Sequence, residues 1–320
     1  MKSVEAYFPK MASFILLVMI NPFNLFSQSS VQLYHCMGDL TGNEKKIMAN
    51  LSIQHTMVFD GRYIDPKNTG RIDSLELTKA IESYFPNKDD KGFAVLDLED
   101  ENYRALRLTP GSKVETKFAV NEFIRMVRIA KNSRPNIKWA IYNVPYNTYY
   151  DKTDEWKNQD RHLDILFRSV DVFAPSLYDF YPDTTFFADD KTYFNDNLQM
   201  TLRLAVKYNK EVIPFIWHRW HDSNQKVGLQ LIPKNEFMDN LHYILSAQYQ
   251  EKKVSGIIWF GAQSYFHHIK PGLEDDDHRK IGGQKSQVKE NTLSLYGGYI
   301  LEGIGQSAPQ KKPIKKKRKN

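Results

Sequence analysis

Short apolar runs alternate along the chain with longer stretches in which apolar residues recur every three or four positions. The short runs, Thr56 to Phe59, Gly92 to Leu98, Ile137 to Val144, Val170 to Leu177, Glu211 to Trp217 and Val254 to Phe260, predict buried strands. Helical spacing fills the gaps: Leu77, Ile81 and Tyr84 behind a candidate cap at Asp73, then Phe123, Val127 and Ala130, then Leu198, Leu202, Ala205 and Tyr208. Strands alternating with helices predict a parallel sheet with crossover helices. An open doubly wound sheet would give the same alternation. Polar and aromatic residues, however, gather where the strands end: Asp97 and Glu99, Tyr142 and Asn143, Tyr178 and Asp179, Trp217 to Trp220, and Trp259. A closed barrel brings those ends to one mouth. The expected fold is therefore α/β, a (β/α) TIM-like barrel, distorted and of seven or eight strands. No solenoid repeat and no glycine-rich phosphate loop interrupts this pattern.

With 320 residues, 41% of them hydrophobic and 13% aromatic, the chain can bury one large core, and the barrel is expected over residues 29–285. Gly282-Gly283 and Gly297-Gly298 break the periodicity beyond it. Residues 286–305 are therefore expected as an extension of the barrel or a surface segment, with Tyr296 to Ile304 a last strand or a surface turn. At the other end, Lys2 and Lys10 precede the apolar run Phe14 to Ile20, which is too short to span a bilayer. Residues 1–28 predict a cleaved export signal, and with it a secreted, periplasmic or envelope location with no membrane span left after cleavage. Cys36 is the sole cysteine, so no intrachain disulfide can form.

The net charge of +6 suggests a polyanion binder until its distribution is considered. Seven positive charges lie between Lys311 and Lys319, and the first 28 residues add a net one; removing both leaves −2 for residues 29–310. A barrel of that charge is not expected to bind nucleic acid. The basic tail, residues 306–320, is expected to be disordered and solvated, with weak contact to anionic polymers or surfaces as its other reading.

The stretch Gly92-Phe-Ala-Val-Leu-Asp97-Leu-Glu99-Asp100 carries the chemistry. Side chains repeat every second residue along a strand, so Asp97 and Glu99 share a face, with Cα atoms roughly 6.6 Å apart. A glycosidic oxygen leaves poorly unless protonated, and a carboxyl raised by burial and by a neighbouring carboxylate can hold the necessary proton near neutrality. A two-carboxylate mechanism stays open at this point, as does a plain salt bridge or helix cap. Trp217, Trp220 and Trp259 suit sugar stacking or core filling equally, and Tyr142 and Tyr178 are balanced in the same way. His218, His221 and His267-His268 lack acidic or cysteine partners at a ligand spacing. Asp183, Asp189, Asp190 and Glu274 to Asp277 resemble solvated loop acids. No metal or cofactor is implied.

Seven ordered blocks extend the pattern: Tyr63-Ile64, Tyr84-Phe85-Pro86, Gly92 to Asp100, Trp139 to Asn147, Pro175-Ser-Leu-Tyr178, Pro214 to Asp222 and Gly256-Ile-Ile-Trp259. Together they resemble the hyaluronidases of animal venoms and tissues, over residues 56–262. The resemblance implies a distorted α/β barrel that cleaves β-linked N-acetylhexosaminide bonds with retention, the substrate's own acetamido oxygen acting as nucleophile. It implies a hyaluronan- or chondroitin-like polysaccharide as substrate, Glu99 as acid and base, Asp97 as its partner, and substrate contacts from Tyr178 and Trp259. The chain departs from that family in several places. Trp220 stands where the family has a pocket tyrosine, Asn102-Tyr-Arg104-Ala replaces Trp-Arg-Pro, and the family's cysteines are missing. A chitinase-type motif would need an aspartate at Val95. The expectation is a glycosidase with catalytic Glu99 and Asp97 and substrate-binding Tyr142, Tyr178, Trp217, Trp220 and Trp259. A non-catalytic carbohydrate-binding barrel and a hydrolase of another glycan are the alternatives.

Overall fold

The computed structural model describes residues 31–38, 40–107, 113–185, 189–261, 266–267 and 270–305. The expected export signal at 1–28 and the basic tail at 306–320 lie outside the described residues. The strands are β1 (Gln32–His35), β2 (Gln54–His55), β3 (Met57–Phe59), β4 (Gly92–Leu96), β5 (Ile137–Tyr142), β6 (Val172–Ala174), β7 (Glu211–Val212), β8 (Phe215–Trp217), β9 (Gln248–Tyr249), β10 (Lys252–Lys253) and β11 (Gly256–Phe260). β9 and β10 form a small antiparallel hairpin. The remaining strands pair in parallel, in the orders β2-β1-β11-β8 and β3-β4-β5-β6-β7.

Two bends join these sheets into one barrel. Between β2 and β3, the Thr56 amide donates to His35 O at 2.9 Å and its hydroxyl donates to Phe93 O at 2.8 Å, so one residue serves both neighbouring strands. Between β7 and β8, the Ile213 amide donates to Phe173 O at 2.9 Å and Pro214 O accepts from the Ile258 amide at 2.8 Å. Proline suits this point because it has no N–H to leave unpaired as the strand changes partners. Counting each bent pair once, seven strands close the ring, the lower of the two expected numbers.

β1 was not among the strands expected from the sequence. It is only four residues long and carries Gln32 and His35, yet its pairing with β11 closes the barrel. The expected helices form where their spacing placed them. Asp73 accepts from the Leu75 and Glu76 amides at 3.2 Å and caps Ser74–Tyr84; Lys113–Ser133 and Asp190–Tyr208 carry the other two patterns.

The C-terminal segment differs from expectation. Tyr296 to Gly303 is neither a strand nor a surface turn; it belongs to the helix Val288–Gly303, capped by Ile304, which packs against Gly42–Asn50 and Lys234–Ser246. Its glycines permit close approach. A Cβ on Gly297 would lie 2.4 Å from Leu51 Cδ1 and 3.5 Å from Trp259 Cζ3. No helix among the described residues is long and apolar enough to cross a membrane.

Strand alternation sorts the core into two clusters. Phe93, Val95, Ala140, Val172, Ala174, Ile213, Phe215 and Ile258 point inward and fill the lumen. Ala94, Leu96, Trp139, Ile141, Phe173, Val212, Ile216, Ile257 and Trp259 point outward under the helices. Which cluster a residue joins decides whether it can reach the mouth.

Candidate active site

Asp97 continues the inward phase of Phe93 and Val95 one step beyond the end of β4. Its amide still donates to Phe59 O at 2.8 Å, so the strand geometry holds it in place. Two residues further on, Glu99 emerges at the rim and is exposed. Asp100 then turns the chain: its carboxylate accepts from the Tyr103 amide at 3.1 Å and from Asn102 Nδ2 at 2.9 Å at the start of the helix Glu101–Arg107. The acidic motif thus divides into an inward acid, a rim acid and a cap.

Depth separates the two acids chemically. Burial, then the charge of Glu99, then that of Asp60 push the Asp97 carboxyl up to about 8. Its Oδ1 is buried and receives no hydrogen bond among the described residues. Glu99 is also raised by loss of water, with the Arg107 guanidinium pulling the other way. The sequence reading made Asp97 the charge that raises Glu99. In the structure it is the charge of Glu99 that raises Asp97, while loss of water raises Glu99, so both carboxyls are drawn toward the protonated form.

Aromatic hydroxyls surround the pair. The Tyr142 ring meets Phe215 edge-on at 5.0 Å, and its hydroxyl donates to Ser176 Oγ at 3.2 Å. Burial, then Glu99, hold that phenol well above its ordinary range. Tyr178 lies against Trp217 at 5.7 Å and Phe260 at 5.7 Å. Its hydroxyl is likewise raised by burial. Tyr103, on the helix after the motif, exchanges hydrogen bonds with Asn143, whose side chain donates to its hydroxyl at 2.8 Å. Trp217 is 3% exposed, and its Nε1 has no acceptor among the described residues. One unsatisfied acceptor on Asp97 and one unsatisfied donor on Trp217 therefore belong to the same lumen, where buried polar groups are ordinarily paired.

Five of the seven expected site residues meet here: Asp97, Glu99, Tyr142, Tyr178 and Trp217. Trp259 does not. It is fully buried on the outer face of β11, where its Nε1 donates to His218 Nδ1 at 3.0 Å. Period two makes its neighbour Phe260 the inward residue, 5.2 Å from Trp217. Trp220 also departs from expectation, lying buried in the cluster between barrel and helices. The tryptophans were chosen from the sequence by chemical type, whereas strand phase decides which ones face the lumen. Cys36 was missed as well. It points inward at the end of β1, and burial, then the charge of Asp97, push its thiol up to about 12. A groove of about 670 Å³ on the flank contains Trp156 and Tyr249, but its carboxylate, Asp196, is tied to Lys152 at 2.5 Å. The carboxyl with a buried, unsatisfied oxygen, that of Asp97, lies at the mouth instead.

No protein-family model and no curated protein matches the sequence. Among solved structures, bee venom hyaluronidase in complex with a hyaluronic acid tetramer superposes with a TM-score of 0.59 at 15% identity, covering 85% of this chain and 98% of that one. This fold is similar to that of the venom enzyme. A monoclinic crystal structure of bee venom hyaluronidase gives a TM-score of 0.51 at 16% identity, over 71% of this chain and 77% of that one. At 15–16% identity the likeness is one of fold, a distorted α/β barrel as expected.

Proposed function

We propose that the protein is a glycoside hydrolase acting on β-linked N-acetylhexosaminide bonds of a hyaluronan- or chondroitin-like polysaccharide, outside the cytoplasm. The observation that carries this reading is the pair just beyond β4: a half-buried carboxyl with one buried, unsatisfied oxygen, two residues from an exposed carboxyl. Glu99 gives its proton to the bridging oxygen as the bond from the anomeric carbon to that oxygen breaks. The acetamido oxygen of the same sugar closes onto that carbon, so no second protein nucleophile is needed. Asp97 Oδ1 accepts the acetamido N–H and holds the group in line. Water then opens the cyclic intermediate, returning a proton to Glu99. Arg107 supports an anionic chain: it is exposed, its guanidinium lies 5.9 Å from the Tyr103 and Tyr146 ring centres, and it acts on Glu99 through space.

Glu99→Gln tests the proposal. General acid catalysis contributes about 10² to 10⁴ in rate, so release of reducing ends from hyaluronan, chondroitin and chitin oligomers should fall by at least the lower figure. The melting temperature should stay within a few degrees, because Glu99 is exposed. Turnover near that of the parent on every substrate it cleaves would remove Glu99 from the acid role.

A further inference from the structure

The aromatic surface of the mouth does not stop at Tyr178. From that ring, contacts run to His221 at 6.1 Å, from His221 to Phe180 at 4.5 Å, from Phe180 to Tyr149 at 5.4 Å, and from Tyr149 to Tyr150 at 4.7 Å. Tyr149 and Tyr150 belong to the loop after β5, and Phe180 and Tyr181 to the loop after β6. Both loops leave the mouth end of the barrel. The path ends on Tyr150, which is 64% exposed. An exposed tyrosine ordinarily turns freely, but this one is braced: its hydroxyl lies 2.9 Å from that of Tyr181. One buried carboxylate fixes both loops. Asp190 Oδ1 accepts from the Tyr149 hydroxyl at 2.8 Å, while Oδ2 accepts from the Phe180 and Tyr181 amides at 2.6 and 2.9 Å.

We infer that Tyr150, held by Tyr181, is a distal subsite on which a pyranose ring of the polysaccharide stacks, some sugars away from the bond that is cut. This deepens the proposed function and rests on it. The occupant follows from placement, since Tyr150 and Tyr181 stand on the two loops that leave the mouth beside Tyr142 and Tyr178, joined to Tyr178 through His221 and Phe180. Its chemistry fits as well. A sugar ring offers an apolar C–H face with hydroxyls at its edge, and a rigid tyrosine presents a flat apolar face with a polar tip at low entropic cost. A platform away from the cleavage point strengthens the hold on long chains and favours cleavage within them.

Binding can be measured on the Glu99→Gln background, so that no product forms, with tetra- to decasaccharides of hyaluronan, chondroitin and chitin. Adding Tyr150→Ala should reduce the ratio of decasaccharide to tetrasaccharide affinity by about tenfold, the scale of burying one apolar ring face. Tyr150→Phe, which keeps the ring, should retain most of that ratio and so controls for folding. An unchanged ratio in Tyr150→Ala overturns the subsite, and so does failure of the Glu99→Gln protein to bind any of the oligomers. The catalytic reading is judged separately, by reducing ends from the parent. Length-dependent binding without hydrolysis would sink that reading and leave the platform; hydrolysis with an unchanged ratio would do the reverse.

Discussion

Asp97 stands where its chemistry is useful and its burial is costly. Its carboxyl lies at about 8 in the folded protein against an ordinary 3.8, so between those values the native state holds a proton that the unfolded chain has released. Stability contributed by this group is therefore fully present below about pH 4, falls as pH rises, and is fully lost above about pH 8. Asp97→Asn is neutral at every pH and escapes that loss. The variant should match the parent near pH 4 and exceed it progressively up to pH 8, by a difference on the order of a few kcal/mol, while losing activity. Denaturant unfolding at about pH 5 and pH 8 checks this; an equal difference at both would show that the carboxyl does not titrate as described. That acids follow directly on a buried strand was legible from a single stretch of sequence. Which of Asp97 and Glu99 lies deeper was not, because that depends on a barrel whose other walls come from distant residues.

At the level of elements, two glycines test how the ring is held. Gly256 opens β11 opposite Gln32, and a Cβ there would lie 2.5 Å from Gln32 O, a backbone atom that cannot turn aside. Gly256→Ala should destabilise by about 1–3 kcal/mol as the β1–β11 seam shifts. Gly298 lies in the helix Val288–Gly303 with nothing within 4 Å of its would-be Cβ, so Gly298→Ala should stabilise by about 0.5–1 kcal/mol. Paired thermal melts would show opposite signs; a loss in both would mean that the helix tolerates no added bulk. These glycines also mark the limit of legibility. Long apolar runs such as Ile137–Tyr142 declared themselves, whereas Gly297, read locally as part of a break, is where the helix draws close to Leu51 and Trp259. β1 was hidden for a simpler reason: four residues with polar Gln32 and His35 give too little alternation to stand out. Trp259 and Phe260 were confused because residue type was weighed ahead of strand phase.

For the molecule as a whole, one buried charge network ties the mouth to the C-terminal region. Arg219, in the segment after β8, donates to both oxygens of Asp277 at 3.0 and 2.6 Å and to Leu229 O at 2.8 Å; neither member of the ion pair is exposed. His267 meets the same carboxylate at 2.7 Å. Burial alone would raise the Asp277 carboxyl, but the hydrogen bonds from His267 and Arg219 outweigh it and hold it low. Asp277→Leu would leave Arg219 buried without its counter-charge and should cost about 3–5 kcal/mol. The double variant Arg219→Met, Asp277→Leu should recover a large part of that loss. Chemical unfolding of the single and double variants measures the difference, and equal losses would mean that the pair acts through packing alone. The closure of β1 on β11 has a consequence in time. During synthesis the first strand precedes its partner by about 220 residues, so no growing chain can complete the ring until β11 has emerged. Contacts this remote in sequence slow folding, and the nascent chain carries an open strand edge for most of its translation.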